Sequence, residues 1–389
     1  MAALDLRQFD VSDDTGFFPH EEPEKSLPDK FKPWEEVVAQ LPALLSTTCL
    51  RKKVDGLPLV STEELSCLSD KEWWRAYVLL CYICHAYIWG EGEGNVASVL
   101  PENLSVPWCA VAKHVGLPPV VTHSAVVLHN WQKVQPSGPL SGDNMRIYAS
   151  FTGTEDENWF SIATALVELE AAKGIRVIPR VFQCITECNN EALQNALVTL
   201  KESISLMEKA ISRMKERCRP SVFYSQLRQF LAGWKGNSAL PEGLVYRGVN
   251  DLPVQFGGGN AAQSSTMAAF DTLLGIEHHG LEKEFLMMQR DHMPPKHRRL
   301  LEEMKTQPSL RQYIRESHSI PAKVAYNDCI KAMVSLRCEH IRIVSLYIVA
   351  QNSHSASGLS SLQATGTGGT GFMVFLKNVR KDTEDALIS

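Results

Sequence analysis

The feature that most limits what this 389-residue chain can fold into is the helical spacing of apolar residues in its second half. Over residues 191–217, Leu193, Ala196, Leu197, Leu200, Ile204, Met207 and Ile211 fall at steps of one, three or four and so share one helix face. Residues 321–350 repeat the pattern with Cys329, Met333, Leu336, Ile343 and Tyr347. A stripe this long is covered most simply by other helices, so the chain from about Phe151 onward reads as mainly helical. Shorter helices are predicted over 156–174, 221–231, 263–274, 283–290 and 372–387. The Ser/Gly-rich stretch 352–370 interrupts the pattern and reads as a loop.

The first 150 residues are mixed. Residues 31–45 and 72–89 read as helical, with Asp70 as the N-cap of the second. Pro118-Pro119 breaks the chain before a short apolar run, and 135–143 reads as a surface loop. The expected fold is mainly α: a small mixed α/β N-terminal domain (1–150) and a large all-helical domain (151–389), with no internal repeat. Hydrophobic residues make up 44% and charged residues 21%, a balance that supports a sizeable buried core. A net charge of −5 provides no field that would attract nucleic acid or an acidic membrane. The N-terminus lacks a basic segment followed by an apolar one, and the most apolar stretch, 76–90, is shorter than the ~20 residues of a membrane span. A cytoplasmic protein with ten reduced cysteines is expected.

Cys81-Tyr-Ile-Cys-His85 has the form of a covalent haem-attachment motif. It lies inside an apolar helical run in a chain with no export signal, and its residues read as core. A zinc site is excluded because no second Cys or His pair stands at ligand spacing. Gly90-Glu-Gly-Glu-Gly94, Gly257-Gly-Gly-Asn260 and Gly366-Thr-Gly-Gly-Thr370 lack the lysine of a phosphate loop. They read as turns or helix starts; for the last two, close backbone approach to a flat ligand is the alternative. His340 sits in the middle of the apolar stripe of 321–350. A core histidine bonded to a carbonyl fits this position, and so does a haem ligand; spacing does not separate them.

Taken in order along the chain, several stretches resemble the indoleamine 2,3-dioxygenase family: Tyr87-Ile-Trp-Gly90, Gly116-Leu-Pro-Pro119, Arg176-Val-Ile-Pro179, Gly233-Trp-Lys-Gly-Asn237, Phe270-Asp-Thr-Leu-Leu-Gly275, Ser335-Leu-Arg-Cys-Glu-His340 and Gly366-Thr-Gly-Gly-Thr370. The resemblance runs from about Gly16 to the C-terminus. It implies non-covalent haem b, ferrous when active, between a small and a large domain. It also implies addition of both atoms of O2 to the indole C2–C3 bond of L-tryptophan, giving N-formylkynurenine, the first step of the kynurenine pathway. His340 then corresponds to the iron ligand, and Arg337 and Asp271 to a pair beside a haem propionate. Arg228 corresponds to the clamp on the substrate carboxylate, and Phe160, Phe223 and Tyr224 to aromatics around the indole. Gly259, Asn260 and Ala261 match backbone close over the pocket, with Ala261 also against the haem, and Thr367 matches a lid residue. An external electron donor and a monomeric chain complete the implied picture.

Three positions depart from the best-known vertebrate pattern: His123 stands at a tyrosine, Thr164 at a serine and Ser161 at a phenylalanine. His123 and Thr164 are similar to the second vertebrate paralogue and are candidate catalytic residues together with Arg228. For Thr164 the alternative is a hydroxyl bonded to a carbonyl one turn back, and for His123 an ordinary helix-start residue. Leu244-Val-Tyr-Arg-Gly-Val249 has the form of a tyrosine phospho-motif at Tyr246, whereas Trp108 replaces the tyrosine of the family's other motif. Two other functions compete with the enzyme: a haem oxygen-binding protein of the same fold without turnover, and an interaction protein working through Tyr246.

Overall fold

The protein is described here from a computed structural model covering residues 4–352 and 371–389. It is mainly helical. Among the described residues the strands are two pairs of two-residue segments: Val99–Leu100 runs parallel to Val245–Tyr246, and Gln132–Lys133 antiparallel to Met145–Arg146. No helix among the described residues is long and apolar enough to cross a membrane, and all ten cysteines are free thiols.

The two apolar stripes become the helices Asn190–Ser212 and Ile320–Val344, which pack against each other along their length. Leu193, Leu197, Leu200, Ile204 and Met207 meet Cys329, Ile330, Met333 and Leu336 in one buried cluster. Local chemistry fixes the starts: the Asn189 side chain accepts the Ala192 N–H, and Ser319 accepts that of Ala322. Where the spacing predicted unbroken helix over 191–217 and 321–350, the regular helices end at Ser212 and Val344. A π-helical turn, Ser345–Val349, continues the second. Helices at Ile178–Thr186, Pro295–Lys305 and Leu310–Glu316 add to those the sequence predicts.

In the first 150 residues Asp70–Trp89 is buried on nearly all sides, which places Cys81, Cys84 and His85 in the core. Its cap is Ser69, not Asp70: Ser69 is extended (φ −73°, ψ 165°). The Glu72 carboxylate accepts the Ser69 backbone N–H at 2.7 Å and its hydroxyl at 2.8 Å. Asp70 instead occupies the first turn, where its charge meets the positive end of the helix dipole. Glu102–Val115 is a further helix, with Pro107 accommodated in its second turn. Tyr246 is 1% exposed, packs beside Trp108 and Trp234, and donates its hydroxyl to Pro119 O at 2.6 Å. The phospho-motif reading therefore falls on a core tyrosine, unreachable without local unfolding.

Residues 233–259 pack Trp234, Leu240, Leu244 and Tyr246 into the buried cluster around Asp70–Trp89. Trp234 and Lys235 both donate backbone N–H to Phe256 O at 2.9 Å, so two glycine-rich stretches lie back to back. A Cβ on Gly258 would stand 2.1 Å from Leu231 O, and one on Gly233 would stand 2.3 Å from Phe256 O. Gly258 is thus required by close approach to its own chain. Because backbone meets backbone, Gly258→Ala should lower stability by roughly 3 kcal/mol. Gly94→Ala, which meets nothing within 4 Å, should stay within about 0.5 kcal/mol of wild type. Urea unfolding of both variants checks this.

Candidate functional site

A cavity of about 260 Å³ opens beside the C-terminal part of Ile320–Val344. Three π-helical turns are present among the described residues, and each lines it. Ser124–Leu128 supplies Val126 and Val127, Phe223–Leu227 supplies Phe223, and Ser345–Val349 supplies Tyr347 and Ile348. A π turn inserts one residue into the helical register and rotates the residues after it, which is why such turns gather at functional sites. Arg228 directly succeeds the second of these turns and reaches the cavity wall with the residue 2% exposed. Burial lowers its pKa from the usual arginine value, but arginine keeps its charge far above neutral pH.

Phe160, from the helix Glu155–Glu170, stands 5.0 Å from Phe223, their planes at 37°. Gly259, Asn260 and Ala261 form another part of the wall. Tyr224 is the exception among the aromatics. It lies off the wall, with the Arg228 guanidinium 5.4 Å over its ring and its hydroxyl donating to Asn352 Oδ1 at 3.1 Å. Thr164 lines the cavity, and its hydroxyl donates back to Phe160 O at 2.8 Å, leaving only lone pairs toward the cavity. Ser161 is buried with its hydroxyl oxygen unpaired. Gly366–Thr370, and with it Thr367, lies outside the described residues.

His340 faces this cavity and a second one of about 570 Å³ that adjoins it. Burial, and secondarily the Arg337 charge, push its pKa down to about 4, so the imidazole is neutral at neutral pH. Neither ring nitrogen makes a hydrogen bond among the described residues. His85 provides the contrast. Its Nδ1–H donates to Phe230 O at 2.8 Å and its Nε2 accepts Val121 N–H at 2.8 Å. Fully buried, with its pKa pushed to about 3, it is a satisfied core histidine.

The second cavity is lined by Arg337, Lys283, Arg290 and Lys305 together with His278, against the two acids Asp271 and Glu277, so its lining is net basic. Arg337 Nη2 donates to Asp271 Oδ1 at 2.5 Å, the pair expected from the sequence. His278 lies between Asp271 (3.2 Å) and Asp382 (3.0 Å), tying Ser265–Leu274 to the last helix, Phe372–Glu384. Burial lowers the His278 pKa, but its contacts with Asp271 outweigh that and raise it. Burial likewise raises Asp271, and the Arg337 charge and His278 together bring it below the usual range.

His123 lines the first cavity. Its Nε2 meets Glu168 Oε1 at 3.0 Å, and its backbone N–H donates to Gln263 Oε1 at 2.8 Å. Glu168 is not among the residues the sequence singled out, although an acid four residues after Thr164 on one helix face was a usable signal. It is 3% exposed and also accepts hydroxyls from Ser264 at 2.7 Å and Thr266 at 2.5 Å. Burial pushes its pKa up, and these donors, His123 foremost, more than reverse that.

No group of three or more His, Cys, Asp or Glu among the described residues could hold a bare metal ion. Metal binding at His340 therefore requires a macrocycle to bring the remaining ligands. A neutral, unpaired imidazole on an apolar wall, beside a cationic cavity suited to carboxylates, fits haem.

His278 also sets a pH dependence. Its folded pKa lies above its ordinary 6.5, so its contribution is complete below about pH 6.5 and is lost as pH rises through the folded value. Asp382→Asn should weaken that dependence and lower the melting temperature near pH 6 by on the order of 3 °C. Thermal unfolding across pH 5.5–8.5 reads both effects.

The family model for indoleamine 2,3-dioxygenase matches residues 5–386. The chain is 40% identical over 392 residues to indoleamine 2,3-dioxygenase 2 of Mus musculus, covering 99% of this chain and 96% of the relative. It is 38% identical over 394 residues to indoleamine 2,3-dioxygenase 1 of Rattus norvegicus, with the same coverage. A myoglobin of Haliotis madaka is 34% identical over 386 residues, 99% of each chain. With residues 5–386 matched and its histidine, arginine and aromatic residues gathered around one cavity, the chain belongs to the indoleamine 2,3-dioxygenase family.

Proposed function

We propose that this protein is a haem b dioxygenase that adds both atoms of O2 to the indole C2–C3 bond of L-tryptophan to give N-formylkynurenine. The observation that carries this reading is the pairing of an unpartnered neutral imidazole, His340, with a buried arginine, Arg228, on the walls of one apolar cavity. In this proposal His340 holds the iron, and the propionates lie toward Arg337 and Asp271 in the cationic cavity, with Ala261 against the macrocycle. Bound ferrous haem supplies O2 binding and activation, and an external electron donor keeps it ferrous.

The chain's own residues do the rest. Arg228 offers two parallel N–H donors to the substrate carboxylate, a geometry that lysine does not provide. Tyr224 supports that guanidinium from below. Phe160 and Phe223 hold the indole between tilted rings. His123, Thr164, Gly259 and Asn260 shape the wall beside it, and Thr367 enters as a lid residue on the sequence alone. The apolar lining excludes water and fixes the reacting edge, which lowers the entropic part of the barrier. The proposal keeps a division near residue 150, His123–Val127 being the part of the cavity drawn from before it, and takes the protein as a cytoplasmic monomer.

A second reading, a haem protein that binds O2 reversibly, is favoured by the Haliotis relative named myoglobin. Reversible O2 binding has no use for a buried carboxylate clamp, so Arg228 argues for turnover. Anaerobic reduction followed by O2 and L-tryptophan separates the two: N-formylkynurenine supports the enzyme, and a stable oxygenated spectrum without product supports the carrier. His340→Ala should give a soluble chain with no Soret band. Arg228→Ala should keep the Soret band and lose roughly 100-fold in kcat/KM, mainly through KM, and Arg228→Lys should recover little of it. Wild-type kinetics in Arg228→Ala would remove the clamp from the proposal.

A further inference from the structure

One buried acid stands behind the cavity wall without a part in the proposed reaction. Glu168 accepts from the His123 imidazole and from two hydroxyls. An ionised carboxylate only accepts hydrogen bonds, so the His123 nitrogen facing it must carry a proton. That nitrogen is Nε2. The backbone of His123 is held as well, by Gln263, whose amide in turn donates to Gly258 O at 3.0 Å and Gln289 Oε1 at 3.1 Å. The ring is therefore fixed at both ends of the residue.

A ring that carries one proton, held on Nε2, has Nδ1 as a bare acceptor. Nδ1 makes no hydrogen bond among the described residues, yet it is not among the sealed, partnerless atoms, and the surface that His123 shows is the cavity wall. Beside it Thr164 is the competing acceptor, with lone pairs toward the cavity, and Asn260 is engaged. Thr164 donates to Phe160 O, and Asn260 Oδ1 accepts from Ala262 N–H at 3.0 Å while its amide donates to Gly258 O and Gln289 Oε1.

We propose that Glu168 is a positioning residue and His123 a specificity-determining one: Glu168 fixes the Nε2–H tautomer, and His123 Nδ1 accepts the N–H of the substrate's indole ring. This rests on the reading of the cavity as an indole site. It selects aromatic ligands that carry a ring N–H over those of equal size that lack one. It also gives the pocket two anchors for one ligand, Arg228 for the carboxylate and His123 for the ring.

The test uses haem-loaded protein and equilibrium binding, read from the ligand-induced change in the haem spectrum, with L-tryptophan and its benzofuran analogue, in which oxygen replaces the ring N–H. Wild type should bind tryptophan about tenfold more tightly, the weight of one hydrogen bond lost in a dry site. In Glu168→Leu no acceptor holds the ring proton on Nε2, so that preference should fall toward one. An unchanged preference in Glu168→Leu, or none in wild type, overturns the proposal. Because that variant also disturbs two hydroxyl contacts, ¹⁵N spectra of the imidazoles in unmodified, haem-free protein provide a second reading. Nε2–H with a bare Nδ1 at His123 supports the proposal; a proton on Nδ1, alone or together with one on Nε2, overturns it. If wild type binds neither ligand, the proposed function itself fails, and the tautomer measurement still decides the role of Glu168.

Discussion

The packing of Ile320–Val344 along Asn190–Ser212 is the contact on which the rest of the molecule depends. One face of the first helix, Cys329, Met333 and Leu336, is consumed by that contact. The rotation this imposes turns His340, one turn further on, out of the shared core and toward the cavity. Ser335 donating to Glu208 at 2.9 Å and Cys329 against Leu197 O at 3.1 Å hold the register. A slip of either helix would carry the imidazole into packed side chains.

Regular helices alone would have closed the space above His340. The π turns at 124–128, 223–227 and 345–349 prevent that, because each displaces side chains from the 3.6-residue register just where the cavity needs a wall rather than a core. The Gly233–Gly258 crossing works alongside them. By letting two backbones touch, it brings Gly259, Asn260 and Ala261 to the rim. Phe160, Phe223 and Arg228 then come together from segments far apart in the chain.

The cavity's charges are arranged by burial. His340 stays neutral because burial, and after it the Arg337 charge, disfavours its charged form, whereas Glu168 and Asp271 stay ionised because donors surround them. The result is one apolar chamber with a single arginine and one neighbouring chamber that is cationic. A ligand with an apolar body and acidic edges matches the pair of them.

Much of this was legible beforehand. The two long stripes gave the helical class, since only helices cover such faces, and Arg337 with Asp271 was foreseen as a pair and lies at 2.5 Å. The resemblance singled out Arg228, Phe160 and Phe223, all on the cavity. Capping was misread by one residue at Asp70 because Ser69 and Asp70 are both good caps and only the backbone angle chooses between them. Glu168 stands on a regular helix and meets His123 only through packing, whereas Tyr224, inside the π turn 223–227, emerges off the cavity wall. The clearest division concerns the two histidines. His85 and His340 both stand in apolar helical runs and are alike in sequence. Tertiary structure alone brought a carbonyl and an amide to the nitrogens of one and an open chamber to the other, because hydrogen-bond partners far along the chain are set by packing and leave no periodic trace.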